Sequence, residues 1–334
     1  MTRLKWGILS TANIGIKRVI PAIAAGRRGV VAAIASRDAA KAARVAASFG
    51  IGRSYGSYQA LLDDPQVEAI YNPLPNHLHV EWTVKALDAG KHVLCEKPIA
   101  LNAAQAQAIV AARERSGKCV IEAFMVRWHP QWQRIRELVG QGRIGRVGAM
   151  QSAFLFTVLD PGNVRNRVEL GGGALYDVGC YPIVTARYVY GAEPERVLAL
   201  IDRDPALGVD RLTSGLLAFP GGRQLVFSSA LQLAAYQRVV ILGSEGRIEV
   251  GIPFTPLKDY SCRIVIDSGK SLDGSSSLVE HIAPVDQYLL QCELAVAAFR
   301  GEVAQEFPIE DAIANMRVID ALYRSAASGH WEAP

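Results

Sequence analysis

The sequence lacks the features that mark several large classes of protein. Its 334 residues include only five cysteines, an odd number, and no two of them have C-x-x-C spacing. This argues against a disulfide scaffold and against a zinc ribbon, and it favours a reducing compartment, which we expect to be the cytoplasm. Aromatic residues make up 7% of the chain and charged residues 20%, which is globular rather than disordered or fibrous composition.

Long apolar runs and clusters of one charge are also missing. Uncharged stretches such as 147–159 and 224–237 fall short of the ~20 apolar residues that span a bilayer. Ser10, Asn13 and Gly15 interrupt the first uncharged run, so we expect a strand and a turn there rather than a signal peptide. The net charge is +4 and the basic residues are scattered, so neither a membrane nor a nucleic acid is predicted as a partner.

The first 123 residues alternate short apolar runs with helical patterns. We predict strands at 4–9, 30–35, 67–71, 92–95 and 119–123. Helices are predicted between them at 14–25, 38–49, 58–62, 77–89 and 103–116. This alternation predicts a doubly wound parallel sheet, the dinucleotide-binding architecture, as a first domain over residues 1–123.

The pattern changes after Phe124. Helices are predicted at 130–139 and 174–190, a long strand at 147–159, and two closing helices at 286–300 and 310–328. Closely spaced strands are predicted at 196–201, 212–219, 224–231, 238–242 and 247–250. Hairpins of this kind build an antiparallel sheet, so a second domain is predicted over residues 124–334.

The turn after the first strand lies where a G-x-G-x-x-G fingerprint would fall. Only Gly15 of the three glycines is present, and Ser10 and Ala12 hold the other positions. Small residues still let the backbone approach a pyrophosphate at a helix N-terminus. A plain strand–helix turn is the alternative. The predicted cofactor contacts here are Ser10, Thr11, Ala12, Asn13 and Ile14.

The end of the second strand carries no acidic residue where one would bind a ribose 2′-hydroxyl. Ser36 and Arg37 stand there, and Lys41 follows one helical turn later. A hydroxyl and a guanidinium suit a 2′-phosphate, which favours NADP(H) over NAD. In the alternative reading Arg37 is a solvated cation and Asp38 caps the helix.

Several further motifs occur in a fixed order. They are N-P-L-P-N-H-L-H at 72–79, E-K-P at 96–98, E-A-F-M at 122–125, R-W-H-P at 127–130 and G-G-G-A-L-Y-D-V-G-C-Y at 171–181. With the turn at 10–15, these motifs give a chain that resembles the glucose–fructose oxidoreductase / inositol dehydrogenase (Gfo/Idh/MocA) superfamily over essentially its whole length.

The resemblance implies a fold and an assembly. An N-terminal Rossmann domain would be followed by an α/β domain with a large, open, mostly antiparallel sheet. That sheet commonly forms the oligomer interface in the family, so a homodimer or homotetramer is expected. Leu225, Phe227, Ala230 and Leu233 suggest an exposed apolar face for this contact.

The resemblance also implies roles for residues. Lys97 of E-K-P, with Asp177 and Tyr181 of D-x-x-x-[YH], would be catalytic. Tyrosine rather than histidine at 181 is similar to the branch that holds glucose–fructose oxidoreductase, dihydrodiol dehydrogenase, D-xylose dehydrogenase and aldose–aldose oxidoreductase. The implied contacts around the nicotinamide are Leu74, Pro75, Asn76, His79, Glu96, Lys97, Arg127 and Trp128.

The spacing of Asp177 and Tyr181 puts both on one helix face. A phenol has a pKa of ~10, and a nearby ammonium such as Lys97 would favour the phenolate. Tyr181 would then take the substrate's hydroxyl proton, Lys97 would stabilise developing charge, and Asp177 would orient Lys97 or a sugar hydroxyl. Arg165 is expected at the substrate hydroxyls, with a surface loop as the alternative.

The function predicted is NADP-dependent oxidation of a cyclic aldose at C1 to its lactone. In one variant NADP stays bound and is recycled by reducing a second sugar. The alternatives are a trans-1,2-dihydrodiol dehydrogenase and an NADP-binding regulatory protein without catalysis. No metal is predicted, because the pair His77 and His79 has no acidic or cysteine partner nearby.

Overall fold

The computed structural model describes residues 2–334, which form two compact units. The first contains the residues up to Met125 together with Asp286–Ile313, and the second contains Val126–Val285 with Ala314–Pro334. The predicted division, 1–123 and 124–334, assigns the stretch 286–313 to the second domain instead. Apolar packing explains the difference, because Cys292, Val296 and Phe299 lie in the core of the first unit.

A six-stranded parallel sheet forms the centre of the first unit. Its strands are β1 (Leu4–Leu9), β2 (Gly29–Ala35), β3 (Arg53–Tyr55), β4 (Ala69–Asn72), β5 (His92–Cys95) and β6 (Val120–Glu122), in the order β3-β2-β1-β4-β5-β6. The predicted doubly wound sheet is confirmed. The sequence analysis missed β3, a polar strand of three residues. Strand order reverses between β1 and β4, which is where such sheets open a ligand crevice.

The helices of the first unit connect these strands. They are α1 (Ile20–Ala25), α2 (Ala39–Phe49), α3 (Tyr58–Leu62), α4 (His79–Asp88), α5 (Ala103–Ser116) and α8 (Gln287–Phe299). A π-helical segment, Gly15–Val19, leads into α1. Side-chain oxygens of Asp38, Ser57 and Asn102 cap α2, α3 and α5, as the preference for such residues at helix starts predicts.

An eight-stranded sheet forms the second unit. Its strands are β7 (Val147–Thr157), β8 (Arg196–Arg203), β9 (Asp210–Phe219), β10 (Arg223–Ala230), β11 (Gln232–Gly243), β12 (Gly246–Val250), β13 (Cys262–Asp267) and β14 (Ser277–Ile282), in the order β14-β13-β12-β11-β7-β10-β9-β8. All neighbouring pairs are antiparallel except β7 with β10. The mostly antiparallel sheet implied by the resemblance is thus confirmed.

Three further α-helices occur within residues 2–334. They are α6 (Pro130–Gly140), α7 (Cys180–Tyr190) and α9 (Ile309–Ser328), and a π-helical segment at Leu175–Gly179 leads into α7. Within residues 2–334, no helix is both long enough and apolar enough to cross a bilayer.

The apolar residues proposed for an exposed sheet face lie mostly on the other side. Leu225, Phe227 and Ala230 are buried, and only Leu233 is exposed, so that expectation is wrong for three of the four. Side chains alternate along a strand, and β10 turns Leu225 and Phe227 inward, while Ala230 is buried at the end of the strand. The ring of Phe227 lies over Gly215 of β9, where an added Cβ would come within 2.3 Å of it.

We expect Phe227→Ala to lower the free energy of unfolding by about 3–5 kcal/mol, because it leaves a cavity in a packed interior. Its neighbour Val226 is 47% exposed, whereas Phe227 is 1% exposed. Val226→Ala should therefore change stability by less than about 1 kcal/mol. Urea unfolding of both variants tests this. Equal losses would contradict the assignment of the two faces.

Candidate active site

The turn after β1 contains a left-handed backbone position, although Ser10 and Ala12 replace two of the three fingerprint glycines. Ser10 has a φ of 77°, in the left-handed region that glycine normally supplies. Its Oγ accepts a hydrogen bond from the backbone N–H of Ala12 at 3.2 Å, which closes the turn. Short polar side chains tolerate such turns for this reason. The predicted cofactor residues 10–14 thus form a tight strand-to-helix turn.

The end of β2 presents cations and a buried hydroxyl. Ser36 is buried, while Arg37 and Lys41 are exposed. The carboxylate of Asp38 accepts the backbone N–H of Lys41 at 2.9 Å and so caps α2. Arg37 lies beside Tyr58, where burial raises the pKa of the phenol and the guanidinium lowers it. The only acid at this strand end is therefore engaged with its own helix.

The loop after β4 is built around two buried polar side chains. Asn72 donates to the carbonyl of His79 and to Thr83 Oγ1, both at 3.2 Å, and its own Oδ1 accepts the N–H of Leu74. The ring nitrogens of His79 lie 2.7 Å from the carbonyl oxygens of Leu74 and Pro98. Burial lowers the pKa of His79 to about 4, although the two carbonyls raise it.

His79 consequently ties the loop at 74–79 to the E-K-P segment. Both ring nitrogens face backbone carbonyl oxygens, and the neutral ring donates its single N–H to one of them; the predicted contact of His79 with the cofactor stays a prediction. Leu74 is buried, whereas Pro75 and Asn76 are half-buried at the start of the short helix that follows the loop.

The E-K-P segment follows β5 and is held from both sides. The Glu96 carboxylate accepts the hydroxyl of Tyr71 at 2.7 Å, and the backbone N–H of Glu96 donates to the carbonyl of Asn72. After the motif, the Ile99 N–H donates to a carboxylate oxygen of Glu122 at 2.8 Å. Lys97 is half-buried between these anchors at the carboxyl end of β5.

Glu122 and Tyr71 are residues whose part in this site the sequence analysis missed. Glu122 occurs in the E-A-F-M motif, which is a signal of its importance, but no role was assigned to it. Tyr71 reads as an ordinary core residue of a buried strand. Their hydrogen bonds depend on the order of the strands, since β4, β5 and β6 are neighbours in the sheet.

In the second unit, Asp177 and Tyr181 lie on the helical stretch that leads into and through α7. Asp177 belongs to the π-helical segment, so the regular helix predicted at 174–190 is locally wound more loosely. Such π segments are frequent at functional sites. The Asp177 carboxylate accepts the Nε–H of Arg165 at 2.6 Å. The structure therefore brings together two of the predicted substrate residues.

Tyr181 is buried among aromatic rings of the same unit. Its ring centroid lies 5.4 Å from that of Phe154 and 5.5 Å from that of Phe254. Phe156 is half-buried and Tyr236 is exposed, so neither packs as deeply as Phe154. Cys180 is a buried thiol, consistent with a packing role.

The R-W-H-P segment contains a buried arginine and the residue that caps α6. Arg127 and Trp128 end a short 3₁₀ helix, and Arg127 is buried. His129 is the N-cap of α6, and its Nδ1 accepts the N–H of Gln131 at 3.1 Å. Burial lowers the pKa of His129 to about 4, which keeps the ring neutral and able to accept this bond.

Both parts of the chain match known protein families. Residues 4–124 match the oxidoreductase family with an NAD-binding Rossmann fold, and residues 132–249 match the GFO/IDH/MocA C-terminal domain. The chain belongs to the Gfo/Idh/MocA oxidoreductase family. The membership predicted from the motifs is confirmed.

Relatives match this family member over nearly its full length. An uncharacterized oxidoreductase of Rhizobium meliloti is 47% identical over 332 residues, 99% of each chain. The D-xylose 1-dehydrogenase (NADP(+)) 2 of Haloferax volcanii is 37% identical over 327 residues, 98% of each chain.

Solved structures share the fold. The 3-ketoreductase KijD10 from Actinomadura kijaniata, in complex with NADP and TDP-benzene, superposes with a TM-score of 0.92 at 30% identity, covering 97% of this chain and 98% of that one. The aldose–aldose oxidoreductase from Caulobacter crescentus, complexed with glycerol, gives 0.91 at 26% identity, with full coverage of both chains.

We expect the buried neutral ring of His129 to make this family member less stable in acid. The unfolded chain takes up a proton near pH 6.5, whereas the folded ring does so only near pH 4. Stability is therefore lost as pH falls from 6.5 towards 4, by at most about 3 kcal/mol from this residue.

His129→Asn keeps a helix cap and removes the titrating ring. Urea unfolding at pH 7 and pH 4.5 should show a smaller acid loss in this variant than in the wild type. His330→Asn, at an exposed histidine, is the matched control and should lose as much stability between pH 7 and pH 4.5 as the wild type. If His129→Asn loses as much stability in acid as the wild type, His129 is not a source of that loss.

Proposed function

We propose that this protein is an NADP-dependent oxidoreductase that oxidises a cyclic aldose at C1 to an aldonolactone. The observation that carries the proposal is the polar and aromatic set that surrounds Asp177 and Tyr181 on the helical stretch of the second unit. Arg165 is held on Asp177 at 2.6 Å, and Tyr181 follows among Phe154 and Phe254. Charged donors suit sugar hydroxyls, and aromatic rings suit the apolar face of a sugar ring.

The residues of the first unit fit NADP. The left-handed turn at Ser10 opens a helix N-terminus to a pyrophosphate, and Ser36, Arg37 and Lys41 offer a hydroxyl and two cations to a 2′-phosphate. Asp38 caps α2 with one of its carboxylate oxygens. NADP, when bound, supplies a hydride acceptor. The printed names of the Haloferax volcanii and Actinomadura kijaniata proteins also include NADP.

The chain's own residues would then handle the proton and the charge. In this proposal Tyr181 takes the proton of the C1 hydroxyl and returns it in the reverse direction. Lys97 stabilises the developing charge, a role that rests on the family's E-K-P motif. Asp177 holds the guanidinium of Arg165 for the substrate hydroxyls, which accounts for their short ion pair.

Assembly and location belong to the proposal as well. We expect a homodimer or homotetramer through the sheet of the second unit, in the cytoplasm. Leu200 and Val226 are exposed on the outer face of that sheet and support an interface there.

Absorbance at 340 nm tests the function. The protein is mixed with excess D-xylose or D-glucose and with NADP⁺ or NAD⁺. A steady rise that is faster with NADP⁺ supports the proposal. A rise that ends near one equivalent per site supports bound NADP that a second aldose must recycle. No rise with a panel of aldoses rejects aldose oxidation.

A specific observation favours a second candidate, reduction of a nucleotide-linked keto sugar. The 3-ketoreductase KijD10 has the same fold at 30% identity over nearly the whole chain. Loss of 340 nm absorbance with NADPH and a dTDP-linked 3-keto sugar would select this candidate. A trans-1,2-dihydrodiol with NADP⁺ tests the remaining enzyme alternative. A non-catalytic regulator would bind NADP without turnover of any of these, and Lys97→Ala would leave its ligand response intact.

We expect Tyr181→Phe to lower kcat by about 10²–10⁴-fold, because it removes the group that moves the hydroxyl proton. NADP⁺ affinity, measured by calorimetry, should stay within about threefold, since the predicted cofactor turn belongs to the first unit. Tyr190→Phe is the control on the same helix, where the hydroxyl donates to the carbonyl of Gln224. Equal kcat values for the two variants would exclude Tyr181 as the proton acceptor.

A further inference from the structure

Asp210 is a buried carboxylate that none of the sequence motifs includes. It is the first residue of β9 and is 1% exposed. One oxygen accepts the backbone N–H of Leu175 at 2.6 Å and the hydroxyl of Thr213 at 3.1 Å. The other oxygen accepts the hydroxyl of Tyr323 at 3.0 Å. All four residues belong to the second unit.

These bonds join three separate elements at one point. Thr213 lies on β9, Tyr323 on α9, and Leu175 begins the π-helical segment before α7. The first N–H groups of a helix have no partner inside the helix, so an acceptor there decides where the helix begins. Leu175 stands two residues before Asp177 and six before Tyr181. Asp210 therefore sets the start of the helical stretch that carries both side chains.

The contact with Asp210 explains why position 173 of the 171–181 motif is a glycine. Gly173 has a φ of 122°, and a Cβ built on it would lie 1.9 Å from Asp210 Oδ1. No side chain fits there while the carboxylate keeps its position. The N–H of Gly173 also donates to the carbonyl of Arg165 at 2.9 Å. The same tight turn thus ties Arg165 to the helix start beside which its guanidinium pairs with Asp177.

We propose that Asp210 is a positioning residue of the active site. Its bond to the Leu175 N–H and its close approach to Gly173 fix the start of the helical stretch, and thereby the relative positions of Asp177, Arg165 and Tyr181. It touches none of the reacting groups assigned above. The kinetic consequence rests on the proposed function, whereas the structural consequence does not.

The test compares Asp210→Asn with Asp267→Asn. Asp267 offers a control, because it is fully buried in β13 of the same unit and accepts bonds from Ser276, Ser277 and the N–H of Gly269, besides an ion pair with Arg247. Both substitutions should lower the melting temperature. Only Asp210→Asn should lower kcat, by about 10–100-fold, as expected when reacting groups are misplaced by an ångström or less. The KM for NADP⁺ should stay within about twofold in both variants.

Hydrogen–deuterium exchange of the folded proteins, without substrate, supplies the second readout. Exchange of the backbone amides in 175–181 should rise by about tenfold or more in Asp210→Asn and stay at the wild-type rate in Asp267→Asn. Tyr323→Phe removes one of the three hydrogen bonds that the Asp210 carboxylate accepts and should give a smaller increase in exchange. It keeps the test open if Asp210→Asn does not fold.

Two results would overturn the positioning role. One is wild-type exchange over 175–181 in both Asp210→Asn and Tyr323→Phe. The other is a fall in kcat that is the same in Asp210→Asn and Asp267→Asn, which would show a general loss of folding. If the wild type turns over no aldose, the proposed function fails, and the exchange measurement still decides the role of Asp210.

Discussion

The site in the first unit depends on the parallel pairing of β1, β4, β5 and β6. Parallel pairing brings the carboxyl ends of these strands to one edge of the sheet, and the predicted cofactor residues follow those ends. A parallel sheet also buries both of its faces, which is why most of its strands are largely apolar. Polar residues are concentrated in the loops at this edge and at the strand ends, where Asn72 and Glu122 are the last residues of β4 and β6.

Buried polar side chains then fix those loops. Asn72 and His79 use their hydrogen-bonding atoms on backbone groups of the loops around them, and Glu122 does the same for the segment after E-K-P. A buried polar group without a partner is costly, so each of these bonds is hard to break locally. These hydrogen bonds therefore fix the conformation of the loops.

The second unit uses carboxylates for two different purposes. Asp177 is partly exposed and pairs with Arg165, which suits a role toward a ligand. Asp210 and Asp267 are fully buried and accept bonds from backbone N–H groups and hydroxyls, and Asp267 also pairs with Arg247. The degree of burial distinguishes these roles, although the residue type is the same.

The sequence predicted the long elements because their periodicity is strong. The helix α5 and the strand β1 were predicted with the bounds the structure has, since each shows a clear apolar pattern between punctuating residues. The strands β3, β13 and β14 were missed. They are three to six residues long and gain their stability from pairing with a neighbouring strand, which a local pattern does not reveal.

By itself, the sequence determined the fold class, the family and the order of the motifs, because each depends on residue types at fixed spacing. The predicted site residues remain predictions of that same kind. Only the tertiary structure decided which face of β10 is buried, which unit holds 286–313, and which side chains hold the loops. The left-handed turn at Ser10 and the capping carboxylate of Asp210 belong to this second group. Both depend on contacts between segments distant along the chain or on backbone angles, and neither leaves a periodic signal in the residues themselves.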